Sequence, residues 1–182
     1  LDPAFQAGDM AIIQGLGYPG QNRSHFKSIA LWETGGDGSQ AGKNGWLTED
    51  IEGMKGSDTL DAHGISLDGG MGVFLSSSGV WLSMTSLNQF SSLSLTTEKL
   101  NSNKQANSAN PALSMIMDRG NTLNNSMASI SSKVKKLNRR QKYRYDAGEF
   151  GRQAAMAAKL IDVGIDAPVL KIKLDGFDTH EN

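Results

Sequence analysis

Apolar residues along this chain fall into short runs, separated by long polar stretches rich in glycine, serine and asparagine. The first run covers residues 10–16, a block bounded by glycines whose length and composition predict a buried strand. The turn-forming loop Gly15-Leu16-Gly17-Tyr18-Pro19-Gly20-Gln21-Asn22 follows. A helix is predicted from Ser24 to Thr34, with Phe26, Ile29 and Trp32 on its apolar face and Gly35-Gly36 as its stop. A second short helix is predicted over residues 46–54. Short strands are predicted over residues 65–67, 73–75 and 80–84. Residues 101–110 form a polar linker, and the longest helical pattern spans residues 111–137. There Leu113, Ile116, Leu123, Met127, Ile130, Val134 and Leu137 keep a 3/4 spacing interrupted at Gly120.

The closing section has the plainest pattern. Residues 147–163 predict a helix with Phe150, Ala154, Ala158 and Ile161 along one face, and Gly164 as the left-handed residue after its end. Residues 168–174 then predict a strand, with Asp175 to His180 at its carboxyl end. A strand–loop–helix at the start and a helix–strand at the end favour an α/β fold. The chain divides into a strand–loop–helix segment (1–54), an irregular or β insertion (55–110), and helices with a final strand (111–182), together one partial α/β domain.

Composition narrows this picture. At 182 residues the chain is long enough for one domain with a real core. Hydrophobic residues make up 38%, charged residues 20%, and 21 glycines imply many loops around a modest framework. A formal net charge of −1 provides no global field for nucleic acid, which is not expected as a partner. Cysteine is absent, which removes disulfides and thiolate metal sites. No apolar run approaches the roughly 18 residues needed to span a bilayer, so no membrane span is expected. Both ends read as cut from a longer chain, which makes the missing parts of the parent the nearest expected partners, with targeting information upstream.

Two places can carry chemistry. In Asn22-Arg23-Ser24-His25, a hydroxyl stands at a helix start, among unpaired backbone N–H groups at the positive end of the helix dipole. That setting suits an oxyanion, or a serine nucleophile whose attack builds negative charge, with Arg23 or His25 adding charge-assisted hydrogen bonds. It equally suits a serine that does nothing but cap the helix. In Asp178-Thr179-His180, residues two apart in an extended chain point to one side, so a carboxylate and an imidazole converge. Such a pair suits Zn²⁺, Mn²⁺ or iron, and the alternative is a solvated polar turn. His63 has no ligand-spaced neighbour except Asp61 and reads as structural or exposed. The basic run Lys133 to Arg144 reads as a solvated helix end, and glycines 15, 17 and 20 do not match a dinucleotide fingerprint.

Several blocks stand in a familiar order. Leu1-Asp2-Pro3-Ala4 leads to Gln6-Ala7-Gly8-Asp9-Met10, then Gly17-Tyr18-Pro19, Arg23-Ser24-His25-Phe26, Trp32-Glu33-Thr34-Gly35 and Gly45-Trp46-Leu47. Ala157-Ala158-Lys159-Leu160-Ile161 and Gly176-Phe177-Asp178-Thr179-His180 close the series. This order, over roughly residues 1–50 and 147–182, resembles the bacterial family called domain of unknown function 1501, of the alkaline phosphatase and sulfatase superfamily. The resemblance implies an alkaline-phosphatase-like sheet flanked by helices, with divalent metals at the strands' carboxyl ends. It implies Ser24 as nucleophile, Asp178 and His180 as metal ligands, Zn or Mn as the metal, and a phosphate or sulfate monoester as substrate. Export by the twin-arginine route, hence a periplasmic or exported location, is implied too. The family's N-terminal acidic segment and later Asp-His-Gly segment have no counterpart here, which leaves the ligand set incomplete and the piece inactive by itself. The rival expectation is an exported binding or assembly protein that keeps the fold without turnover.

Overall fold

The computed structural model describes residues 2–21, 23–36, 42–87, 111–136, 145 and 147–177. Within them lie helices α1 (Asp2–Gln6), α2 (His25–Thr34), α3 (Thr48–Glu52), α4 (Pro111–Lys135) and α5 (Glu149–Asp162). Strands β1 (Gly64–Ser66), β2 (Trp81–Ser83) and β3 (Leu170–Lys171) form a parallel sheet in the order β2-β1-β3. Ile65 at the centre stands opposite Leu82 on one side and Leu170 on the other. The molecule is therefore a mixed helical structure around a small parallel sheet, α/β in class. No described helix is long and apolar enough to cross a membrane.

The core sits where α4 and α5 cover the sheet. Ile65, Leu67, Leu82 and Met84 from the strands and their ends pack with Met127 and Ile130 of α4 and Met156 and Leu160 of α5. Burying each such side chain contributes about 2 kcal/mol. Helix α4 begins on Pro111, whose fixed φ and missing N–H suit a first helical position. Helix α5 is followed by Gly164 at φ +69, the left-handed conformation expected there. Gln153, buried on α5, accepts a hydrogen bond at 2.7 Å from the Lys173 N–H and so fixes the chain beyond β3.

Several expectations are corrected. Residues 10–16 belong to no helix or strand, and Ile12, Ile13 and Leu16 are exposed. Apolar content alone makes no strand, because a strand needs a partner for its ladder, and the described sheet ends at β2 and β3. On α2 the buried residue is Leu31, while Phe26 is 89% exposed and Ile29 and Trp32 about half so. On α5 the buried residues are Gly151, Gln153, Met156 and Leu160, so Phe150 and Ile161 face outward. Small Gly151 and hydrogen-bonded Gln153 mark a face that a search for large apolar residues passes over. On α4 the 3/4 pattern is buried only at Met127 and Ile130, with Val134 partly so; Leu113, Ile116 and Leu123 are exposed, and Leu137 lies outside the described residues. Residues 72–74 form a 3-10 turn instead of a strand, and only two residues of the 168–174 run pair in the sheet. The middle segment, expected to be irregular with short strands, supplies β1 and β2 and thus the centre of the sheet.

Candidate functional site

Helix α2 is built by local signals. Ser24 at φ −79, ψ 109 is its N-cap, and its Oγ accepts from the Lys27 N–H at 3.4 Å. Gly35 at φ +59 ends the helix in the left-handed conformation. Positions 24, 28, 31, 32 and 35 recur at the 4/3/1/3 steps that keep residues on one helical face. Ser28, Leu31, Trp32 and Gly35 on that face line a cleft of about 500 Å³. Its other wall is the glycine-rich loop, through Leu16, Tyr18 and Gln21. The Tyr18 hydroxyl and Ser28 Oγ lie 3.1 Å apart, bonding the loop to the helix. The Gln21 amide folds against the bare Gly17, where a Cβ would stand 2.2 Å from Gln21 Nε2.

The far end of the cleft is braced from behind. The Trp46 ring meets Trp32 edge-on at 6.0 Å, and the Trp46 N–H donates to the Glu33 carbonyl at 3.2 Å. Gly45 holds that brace against the 3-10 turn at Gly72–Phe74. Its N–H donates to the Leu75 carbonyl at 2.6 Å, and a Cβ on it would stand 2.0 Å from the Val73 carbonyl oxygen. Two blocks that the sequence spaces apart, Gly17-Tyr18-Pro19 and Trp32-Glu33-Thr34-Gly35, thus contribute residues to one cleft, and Trp46 supports it through Trp32. Ser24 lies outside the lining of the cleft, one turn or about 6 Å along the helix axis from Ser28, which is part of it. Arg23, Ser24 and His25 are all exposed.

A second polar cluster occupies the carboxyl end of the sheet, where open α/β sheets bind ligands. Asp68 follows β1 with its side chain 7% exposed. It accepts from Ser66 Oγ, from the Gly70 N–H at 3.1 Å and from Lys171 Nζ at 2.9 Å. Burial pushes its carboxyl up, but the Ser66, Lys171 and Gly70 hydrogen bonds outweigh this and hold it below the usual carboxylate value. Glu33 reaches the same edge: a Cβ on Gly72, itself at φ +48, would stand 2.3 Å from Glu33 Oε1 and 3.2 Å from Lys171 Nζ. Beyond β3, Lys173 pairs with Asp175 at 3.0 Å, and that hydrogen bond holds the ammonium above its usual value.

The end of α2 that meets this edge is the Glu33 end. Ser24 lies nine residues up the axis, about 13 Å away. Asp178 and His180, the expected metal ligands, lie outside the described residues. Among the described residues no three His, Asp or Glu side chains gather as a metal-binding group. Asp68, at the carboxyl end of the sheet, has both oxygens committed to protein donors. The His63 Nδ1 accepts from the Val80 N–H at 2.9 Å, and the His63 backbone N–H donates to the Val80 carbonyl at 2.7 Å.

Sequence reasoning missed Asp68 and Lys171, and it misplaced Trp32 by reading it as core. The signal for Trp32 was its position eight residues after Ser24, on the same helical face. Asp68 and Lys171 are 103 residues apart, and nothing local couples them. Set against models of protein families, against characterised proteins and against solved structures, the chain matches none.

Proposed function

We propose that the chain is part of a hydrolase-like α/β protein acting on phosphate or sulfate monoesters, with Ser24 as nucleophile. The observation that supports this reading is the position of Ser24 at the N-cap of α2, one turn before Ser28 in the cleft wall. An ester whose alcohol part fills the cleft would bring its phosphoryl or sulfuryl group to the amino end of α2. Helix-terminal N–H groups suit the charge that builds there. Ser24 Oγ then bonds to phosphorus or sulfur, the alcohol leaves with a proton, and water later releases the free anion. Arg23 and His25, exposed on either side, add charge-assisted hydrogen bonds.

The same reading includes family membership in domain of unknown function 1501, an alkaline-phosphatase-like fold and an exported or periplasmic location. It includes a Zn²⁺ or Mn²⁺ site using Asp178 and His180, and no step above is routed through it. Because it includes ligand-bearing segments of a longer parent chain, the test uses the longest chain containing these residues, with Zn²⁺ and Mn²⁺ supplied. Chromogenic phosphate and sulfate esters should be turned over. Ser24→Ala should abolish turnover while the far-ultraviolet circular dichroism spectrum is unchanged. Turnover that survives Ser24→Ala removes the serine from its role.

A second reading has an observation of its own. Leu113, Met115, Ile116 and Leu123 expose an apolar stripe on the first half of α4, which suits a non-catalytic binding or assembly protein. Silence across the ester panel with a folded, metal-supplied protein decides for that reading.

A further inference from the structure

The start of β2 is tied to a histidine ring. Val80, just before the strand, donates its N–H to His63 Nδ1 at 2.9 Å and accepts the His63 backbone N–H at 2.7 Å. A backbone N–H can only donate, so Nδ1 keeps its lone pair and the proton of the neutral imidazole sits on Nε2. The fold therefore sets the tautomer. A second proton has only Nδ1 to go to, and it can settle there only when the Val80 N–H bond is given up.

The surroundings of the ring give that exchange something to gain. The Trp81 ring centroid lies 5.7 Å from that of the imidazole, tilted by 42°. That is inside the roughly 6 Å at which a cation is drawn to an indole. Trp81 is itself held from two other sides: Phe74 stacks on it at 5.1 Å, and its Nε1–H donates to Glu52 Oε1 at 2.8 Å. Glu52 of α3 also accepts from Ser76 Oγ at 2.9 Å and from Ser78 Oγ. Burial pushes the Glu52 carboxyl up, but the Ser78, Trp81 and Ser76 hydrogen bonds outweigh this and hold it below the usual carboxylate value. Glu52 is thus an anion across the range in which histidines ordinarily titrate. The other charges near this place in the chain are Asp61, two residues before His63, and Lys133 of α4, which pair with each other.

We infer that His63 is a proton-operated switch at the start of β2: neutral, it holds the Val80 N–H, and protonated, it releases that bond for the Trp81 ring and the Glu52 charge. The β1–β2 ladder from Gly64 and Trp81 onward does not depend on the ring, so the change is confined to the entry of the strand. That entry has a neighbour of some size. Ser78, Gly79, Val80 and Trp81 form one wall of a cleft of about 710 Å³, whose other wall is the first half of α4. Protonation of His63 therefore reshapes the β2 wall of this cleft. The inference stands apart from the ester reading, because Ser24 and the cleft beside α2 have no part in it.

The experiment is a titration of the nitrogen-15-labelled protein from about pH 8 to about pH 5, read by proton–nitrogen NMR. At the alkaline end the His63 ring should show a protonated Nε2 and a bare Nδ1. On acidification the Val80 amide signal should move on one sigmoidal curve with the His63 ring. Its hydrogen exchange, corrected for intrinsic pH dependence, should accelerate at least about tenfold. His63→Asn offers an acceptor oxygen near the place of Nδ1 but takes up no proton in this range. Its Val80 amide should stay protected and stationary throughout. An Nδ1–H tautomer at the alkaline end overturns the inference, and so does a Val80 amide indifferent to the His63 titration. A Val80 transition of full size in His63→Asn overturns it too, since the proton then belongs to another group. The two measurements on the unsubstituted protein decide the matter even where His63→Asn does not fold.

Discussion

The two ends of β1 carry the same set of groups and use them differently. Asp61 precedes the strand and Asp68 follows it, and each carboxylate binds a lysine, a serine and a backbone N–H. Asp61 draws on distant parts of the chain: Ser129 and Lys133 of α4 and the Asp166 N–H before β3, 68, 72 and 105 residues away. The Lys133 ammonium also donates to the Gly164 carbonyl at 3.1 Å, so α4, β1 and the α5–β3 connection meet on one carboxylate. Asp68 instead takes two of its three partners from within two residues, and only Lys171 comes from afar. One carboxylate therefore fastens a helix to the sheet, and the other shapes a loop. A buried charge stabilises according to what it joins more than by how many bonds it accepts.

The comparison can be broken by substitution. The largest effect is expected from Ile130→Ala, which empties a fully buried site on α4 beside the Asp61 cluster and should cost about 4 kcal/mol in urea unfolding. Asp61→Ala should follow at about 3 kcal/mol, because it strands the Lys133 ammonium, the Ser129 hydroxyl and the Asp166 N–H together. Asp68→Ala should cost less, about 2 kcal/mol, since Ser66 and Gly70 sit in a loop that can rearrange toward water. If the two aspartate variants cost the same, the distinction between fastening and shaping fails.

Acid sharpens the same contrast. Burial opposes ionisation of Asp61, but the hydrogen bonds from Lys133, Ser129 and Asp166 outweigh it and depress its carboxyl, as the corresponding bonds depress Asp68. A carboxylate depressed in the folded state contributes stability that is fully present above its unfolded value, near 3.8. That contribution disappears as pH falls through the folded value. Unfolding midpoints should therefore drop below about pH 4, and Asp61→Asn should flatten that drop. The smallest effect is expected from Ile116→Ala, on the exposed half of α4, where the change should stay within about 0.5 kcal/mol.

Helix α4 also shows what a sequence can say about a fold. Its pattern is the same at Leu113, Ile116 and Leu123 as at Met127 and Ile130, yet only the second set is buried. Spacing specifies which residues share a face, but it carries no information about what covers that face. Features encoded within a few residues were legible: the Ser24 cap, the Gly35 and Gly164 ends, the starts and ends of α2 and α5 to within two residues, and the neighbourhoods of β1 and β2. Features that depend on distant pairing were not. The apolar run at 10–16 looks like a strand but gains no partner among the described residues, and Gln153 looks like surface but is buried and meets the Lys173 N–H. For the candidate site, Ser24 at the head of a helix was legible because capping is local. The cleft was not, because Tyr18, Ser28 and Trp32 become one surface only when the glycine loop folds back on α2.

The strand order β2-β1-β3 has a consequence for how the chain is made. Residues 81–83 can pair with β1 soon after both leave the ribosome, but β3 arrives more than a hundred residues after β1. Until then the central strand is an edge, with one row of N–H and C=O groups unpaired and free to capture another growing chain. Synthesis and refolding are thus most exposed to aggregation during that interval, and the final turn of the chain into place is what ends it.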